Sequence, residues 1–169
     1  GVHVSTSPEW LQRRLTAIGV RPINNIVDIT NYVLHEYGQP LHAFDADKIK
    51  GQTVHVQFLP EGTKFVTLDE KERKLQGNDL MICDAEGGMC IAGVFGGMHS
   101  GVTDATTNIF LESAYFDPQY IRRTSLYHGL RTDAATHFEK GVDINNLQAA
   151  LERAAQMMVE IAGGKISSE

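Results

Sequence analysis

The hydrophobic positions change period along the chain. From Trp10 they recur at helical spacing, with Leu11, Leu15 and Ile18 completing the stripe of a first helix that Ser7 caps, Pro8 starts and Gly19 ends. A second helix is predicted over 26–37, with Asn25 as its cap, Asp28 in its first turn, Gly38 at its end and Pro40 barring continuation. From Thr53 the period drops to two. Val54, Val56 and Phe58 alternate with Thr53, His55 and Gln57, the pattern of a half-buried strand. A charged turn over 69–73 joins two short runs as a hairpin, and 80–83, 89–95 and 109–115 read as further strands. Asp117 followed by Pro118 opens a helix to about 127. The last helix begins near Asp143 and carries Leu147, Leu151, Ala154, Met158 and Ile161 on one face before Gly163 and Gly164. Helices at both ends and strands between them predict an α+β fold, a mostly antiparallel central sheet or barrel-like core with helices from both chain ends packed on it. No repeat or low-complexity linker divides it, so one domain is expected over 1–169.

Composition narrows this picture. At 169 residues and 42% hydrophobic, the chain is long enough to bury about 68–70% of its unfolded surface in a core of its own. Its apolar runs fall far short of the roughly 18 residues that span a bilayer. With 15 Lys and Arg against 21 Asp and Glu, the net charge of -6 argues against gripping nucleic acid by bulk electrostatics. An RNA role then rests on a local patch; Arg122, Arg123 and Arg131 form the most basic stretch, which a solvated helix face explains as well as an RNA contact does. Two cysteines, Cys83 and Cys90, make no disulfide framework and fit a reducing compartment. Gly1 stands where an initiator Met is usual, so a piece of a longer polypeptide is expected.

Several chemistries are disfavoured by spacing. The glycine-rich stretch from Gly87 to Gly101 holds no GxGxxG and no GxxxxGK, so a nucleotide cradle does not follow; Gly93, Gly96 and Gly97 read as turns or bulges that also let a ligand approach the backbone. Seven histidines give no HExxH or HxxxH pair, and Cys83, Cys90 and His99 match no common zinc spacing. There is no GxSxG elbow. Any hydrolysis is therefore expected to use activated water. Of the histidines, His42 is the best candidate: it lies in a proline-stiffened loop just after a helix end, beside Gln39 and Asp45.

Longer motifs add a resemblance. RPINNIVDITNYV from Arg21, GQPLHAFD from Gly38, GVFGG from Gly93, LESAYFDP from Leu111, GLRTDA from Gly129 and FEKGVD from Phe138 occur in order. Together they resemble the editing domain of the bacterial phenylalanyl-tRNA synthetase β subunit over nearly the whole chain. The match departs at Ala135-Thr136-His137, where the family more often carries Ser-His-Arg.

The resemblance implies hydrolysis of tyrosine wrongly esterified to tRNA(Phe). Such a step is physically required, because a hydrophobic pocket built for one side chain rejects an analogue that merely adds a hydroxyl by only about a hundredfold. It implies that Glu112 accepts the phenol hydroxyl, that Thr30, Asn31 and His42 flank the reacting ester, that Arg21 contacts the RNA end, and that Thr132, Ala134 and Gly93 shape the ring pocket. The flanking Leu111 and Ala114 already suit Glu112 to burial. No metal or cofactor is implied at this site, and ATP and Mg2+ belong to parts of the synthetase outside this chain. The implied partners are the tRNA(Phe) 3′ end, an α subunit and the other β domains of a heterotetramer, with no membrane, in the cytoplasm. The alternative is a non-catalytic structural or RNA-contact module of the same subunit.

Overall fold

The computed structural model describes residues 1–167, so the last two positions of the predicted 1–169 span lie outside the described residues. Its elements are α1 (Glu9–Ala17), α2 (Asn25–Tyr37), β1 (Leu41–Asp45), β2 (His55–Phe58), β3 (Lys64–Val66), β4 (Glu72–Lys74), β5 (Leu80–Cys83), β6 (Gly88–Ile91), β7 (Phe95–Gly96), β8 (Ile109–Ser113), α3 (Pro118–His128), α4 (Asp133–Lys140) and α5 (Leu147–Ala162). The α+β class is as the sequence predicts. All strand pairings are antiparallel, but they form three small sheets, β1-β8, β2-β5-β6-β7 and β3-β4, and no barrel closes among the described residues. By packing, the chain divides into two compact units.

The first unit comprises Gly1–Ala46, Val102–Ala114 and the chain from Asp143. Its core is helical: Leu11 and Leu15 of α1, Ile26, Ile29 and Val33 of α2, and Ala150, Ala154, Met157 and Met158 of α5 pack together with Val4 and Ala43. The caps of α1 and α2 sit one place from where sequence puts them. Asn24, not Asn25, caps α2, in an extended conformation with its side chain accepting from the Val27 N–H at 2.9 Å. Asn25 is fully buried and instead bonds the N-terminal segment, donating to the His3 carbonyl at 2.9 Å and accepting from the Ser5 N–H at 3.2 Å. Likewise Ser7 does not cap α1; its hydroxyl donates to the buried Asp28 carboxylate. Trp10 and Ile18, expected in the buried stripe, are 45% and 54% exposed. The last helix starts at Leu147, behind a 3-10 turn over Ile144–Asn146 that Asp143 caps.

Strand alternation then divides the β1-β8 pair between two faces. Leu41, Ala43, Ile109 and Leu111 pack onto the helical core. His42, Phe44, Phe110 and Glu112 therefore project from the opposite face.

The second unit comprises Asp47–Gly101 and Tyr115–Val142. Its four-stranded sheet buries Met81, Ile82 and Ile91, and α3 packs on β5 and α4. The alternating strand near Thr53 does form, as β2, but its apolar face is only partly covered: Phe58 packs on Tyr120, and Val56 and Phe58 are 55% and 46% exposed on an edge strand. The run 89–95 breaks into β6 and β7 because Gly93 turns between them with φ +66°. A Cβ at Gly93 would stand 2.9 Å from Phe138 and 3.0 Å from Ile121 and Phe116. Gly93→Ala is expected to lower the unfolding free energy of the chain by about 2 kcal/mol through backbone strain and overpacking. An unchanged urea midpoint would refute that account.

Candidate active site

The β1-β8 register sets His42 directly opposite Glu112. Residues paired in this way lie about 4.5–5.5 Å apart at Cβ and share a face. His42 is therefore not on a loop, as the sequence suggested, but on a strand. Pro40 stops α2 and still permits a strand to begin directly after it. The His42 ring is braced edge-on against Phe44 at 4.4 Å, and Phe44 is itself fully buried.

Both members of the pair are half-buried, yet the His42 Nε2 and the Glu112 Oε2 are sealed from solvent without a hydrogen-bond partner in the chain. Burial has opposite effects on the two ionisations, because it disfavours whichever form is charged. It lowers the His42 imidazolium from 6.5 to about 4 and raises the Glu112 carboxyl from 4.5 to about 8. At neutral pH the pair is an imidazole facing a carboxylic acid, with no net charge. Each enclosed, unpaired polar atom costs about 1–3 kcal/mol. That cost is recovered when a ligand supplies the complementary hydrogen bonds.

The other first-unit residues flank this pair along the chain. Thr30 and Asn31 lie mid-way along α2, which packs on β1; Thr30 is buried, its hydroxyl donating to the Val27 carbonyl at 2.7 Å, and Asn31 is half-buried. Arg21 is exposed in the connection between α1 and α2. Thr132, Ala134 and Gly93 lie in the second unit. There Thr132 caps α4, accepting from the Ala135 N–H at 3.1 Å and donating to the Val94 carbonyl at 2.7 Å, which ties the start of α4 to the residue after Gly93. Ala134 is half-buried in the first turn of the same helix. Among the described residues no group of three or more His, Cys, Asp or Glu side chains is gathered as for a metal ion, and no helix is long and apolar enough to cross a membrane.

This chain matches the B3/4 domain over residues 1–163. It belongs to the B3/4 domain family. Among curated proteins it is 63% identical over 169 residues to the phenylalanine–tRNA ligase beta subunit of Bacteroides thetaiotaomicron, covering 100% of this chain and 21% of that protein. The same subunit of Porphyromonas gingivalis is 63% identical over 98% of this chain and 20% of its own length, and that of Geobacter metallireducens 51% over 99% and 21%. The B3/4 domain thus spans about a fifth of the length of the relatives it matches. The family read from the motifs is the family found.

Two buried polar residues of this B3/4 domain carry more structure than their sequence context signals. Gln39 is fully buried between α2 and β1, although sequence marks it only as a polar neighbour of His42. In the second unit Asp79 is fully buried and receives the His128 Nε2 at 2.6 Å, the Thr124 hydroxyl at 2.7 Å and the Gln76 N–H at 2.8 Å. Burial alone would raise the Asp79 carboxyl; these bonds, with the charge of His128, hold it below its ordinary value. Nothing in the local sequence announces that partnership, which joins residues 49 positions apart.

Proposed function

We propose that this B3/4 domain is the editing module of a phenylalanine–tRNA ligase β subunit, hydrolysing the ester that joins mischarged tyrosine to tRNA(Phe). The observation that supports this most is the register-matched pair of His42 and Glu112, each with a sealed polar atom that lacks a partner. An acceptor of this kind suits a phenol hydroxyl and penalises a phenyl ring, which leaves it unpaired. The preference of a synthetic site for phenylalanine is thereby inverted.

In the reaction a water oxygen adds to the ester carbonyl, the bond to the ribose oxygen breaks, and the water's proton passes to that oxygen, giving tyrosine and a free terminal hydroxyl. A histidine held near 4 is a weak base. His42 is therefore assigned to holding the water and the ester in line, which suffices for an ester that is already activated, and Asn31 and Thr30 to flanking the ester as the resemblance implies. Arg21 is assigned to the RNA end, as the resemblance implies. The same proposal gives the α subunit, the other β domains, ATP and Mg2+ to the ligation machinery outside this chain, in the cytoplasm. It asks only for a single-stranded 3′ end here, a demand compatible with a net charge of -6.

His42→Ala and Asn31→Ala are expected to slow release of tyrosine from Tyr-tRNA(Phe) by the whole synthetase by about tenfold. Phenylalanine activation should remain at its normal rate in both. Full deacylation by both variants would overturn the assignment and leave the module structural.

A further inference from the structure

Gln39 is 1% exposed and is the polar member of the group of largest fully buried side chains among the described residues. Its Nε2 donates to the Pro40 carbonyl at 3.0 Å and to the Ala114 carbonyl at 2.9 Å. Pro40 immediately precedes β1 and Ala114 immediately follows β8. The bridge thus closes the strand pair one position beyond Leu41↔Ser113 and two beyond His42↔Glu112. Pro40 has no N–H with which to carry the ladder further. A side-chain NH2, with two hydrogens for two carbonyls, supplies the connection that the backbone cannot.

A residue present only to fill space would be apolar here. Gln39 instead turns both donors to the strand ends and leaves its Oε1 enclosed with no partner in the chain, an arrangement unfavourable for packing alone. We propose that Gln39 is a positioning residue for His42 and Glu112, clamping the end of the β1-β8 pair so that the two side chains keep their separation and stay sealed from water. Glutamate offers oxygens where donors are needed, asparagine is one methylene short, and lysine brings a charge into a buried site. Glutamine meets all three demands. The clamp is a structural claim, and its effect on catalysis rests on the editing function proposed above.

Gln39→Met keeps the length and bulk and removes both donors. In the whole synthetase, two readouts follow it: tyrosine release from Tyr-tRNA(Phe), and titration of the Glu112 carboxyl by infrared difference spectroscopy against a Glu112→Gln control. With the clamp gone, water reaches the strand end. The Glu112 midpoint is expected to fall by about one pH unit or more, and tyrosine release to slow about threefold to tenfold. A lowered melting temperature with both readouts unchanged would overturn the proposal, since that is what a packing role alone produces. If the Met variant does not fold, Gln39→Asn retains the NH2 group on a shorter arm; a partial fall in the Glu112 midpoint supports the clamp and an unchanged midpoint refutes it. If the unaltered synthetase releases no tyrosine while Gln39→Met still lowers the midpoint, the editing reading fails and the clamp stands.

Discussion

Under the proposed editing function, Glu112→Ala is expected to reduce the preference for tyrosyl over phenylalanyl esters by about tenfold to a hundredfold, and Glu112→Gln to keep most of it. The first half follows from what the pair lacks in the free protein. The Glu112 Oε2 is sealed without a partner, so in the proposed site a phenol hydroxyl would satisfy it and a phenyl ring would not, a difference of about 1–3 kcal/mol in a buried site. Alanine abolishes the acceptor and with it the penalty on phenylalanine. The second half follows from protonation. With its carboxyl raised to about 8 by burial, Glu112 is a neutral acid at pH 7, offering one carbonyl oxygen and one O–H. A glutamine amide has nearly the same shape and offers both an acceptor and donors. Competition between Tyr-tRNA(Phe) and Phe-tRNA(Phe) for hydrolysis by the whole synthetase measures the ratio. If alanine left it unchanged, Glu112 would not be the discriminating group; if glutamine lost as much as alanine, the ionised carboxylate would be the form that binds.

Much of the fold was legible locally. The end of α2 followed from Gly38, which takes φ +72°, and Pro40, and β5 from the run Leu80–Cys83. What local pattern could not supply was the partner of each surface. Two asparagines in a row both suit a cap, and only the packing of the N-terminal segment onto Asn25 decided that Asn24 takes the role. Period-two alternation in β2 announces two faces without saying whether either is covered. The site follows the same division: Glu112 reads as buried from Leu111 and Ala114, but that it faces His42 depends on a pairing between residues 70 positions apart. Gln39 was hardest to see, because its importance comes from the missing N–H of its neighbour Pro40 and from a carbonyl 75 positions away.

Glu112→Gln is also expected to stabilise this chain, by an amount that grows with pH. The folded carboxyl titrates at about 8 and the unfolded one near its ordinary 4.5, so between these values the folded state holds a proton that the unfolded state has released. Stability must then fall as pH rises through that interval, by about 1.4 kcal/mol per pH unit and about 5 kcal/mol in all. His42 acts in the opposite sense. Its imidazole is lowered from 6.5 to about 4, so between those values the unfolded state binds the extra proton and stability rises with pH, by about 3 kcal/mol. From 4.5 to 6.5 the two slopes nearly cancel; above 6.5 Glu112 acts alone, and the unaltered chain loses stability until about pH 8. Glutamine removes only the falling contribution. Unfolding free energies of the two chains from urea titration should therefore coincide below pH 4.5, differ by about 3 kcal/mol at pH 7 and by about 5 kcal/mol at pH 9. A difference that did not change with pH would mean that the carboxyl titrates alike in both states, and the neutral acid invoked in the proposed discrimination of tyrosine would be lost with it.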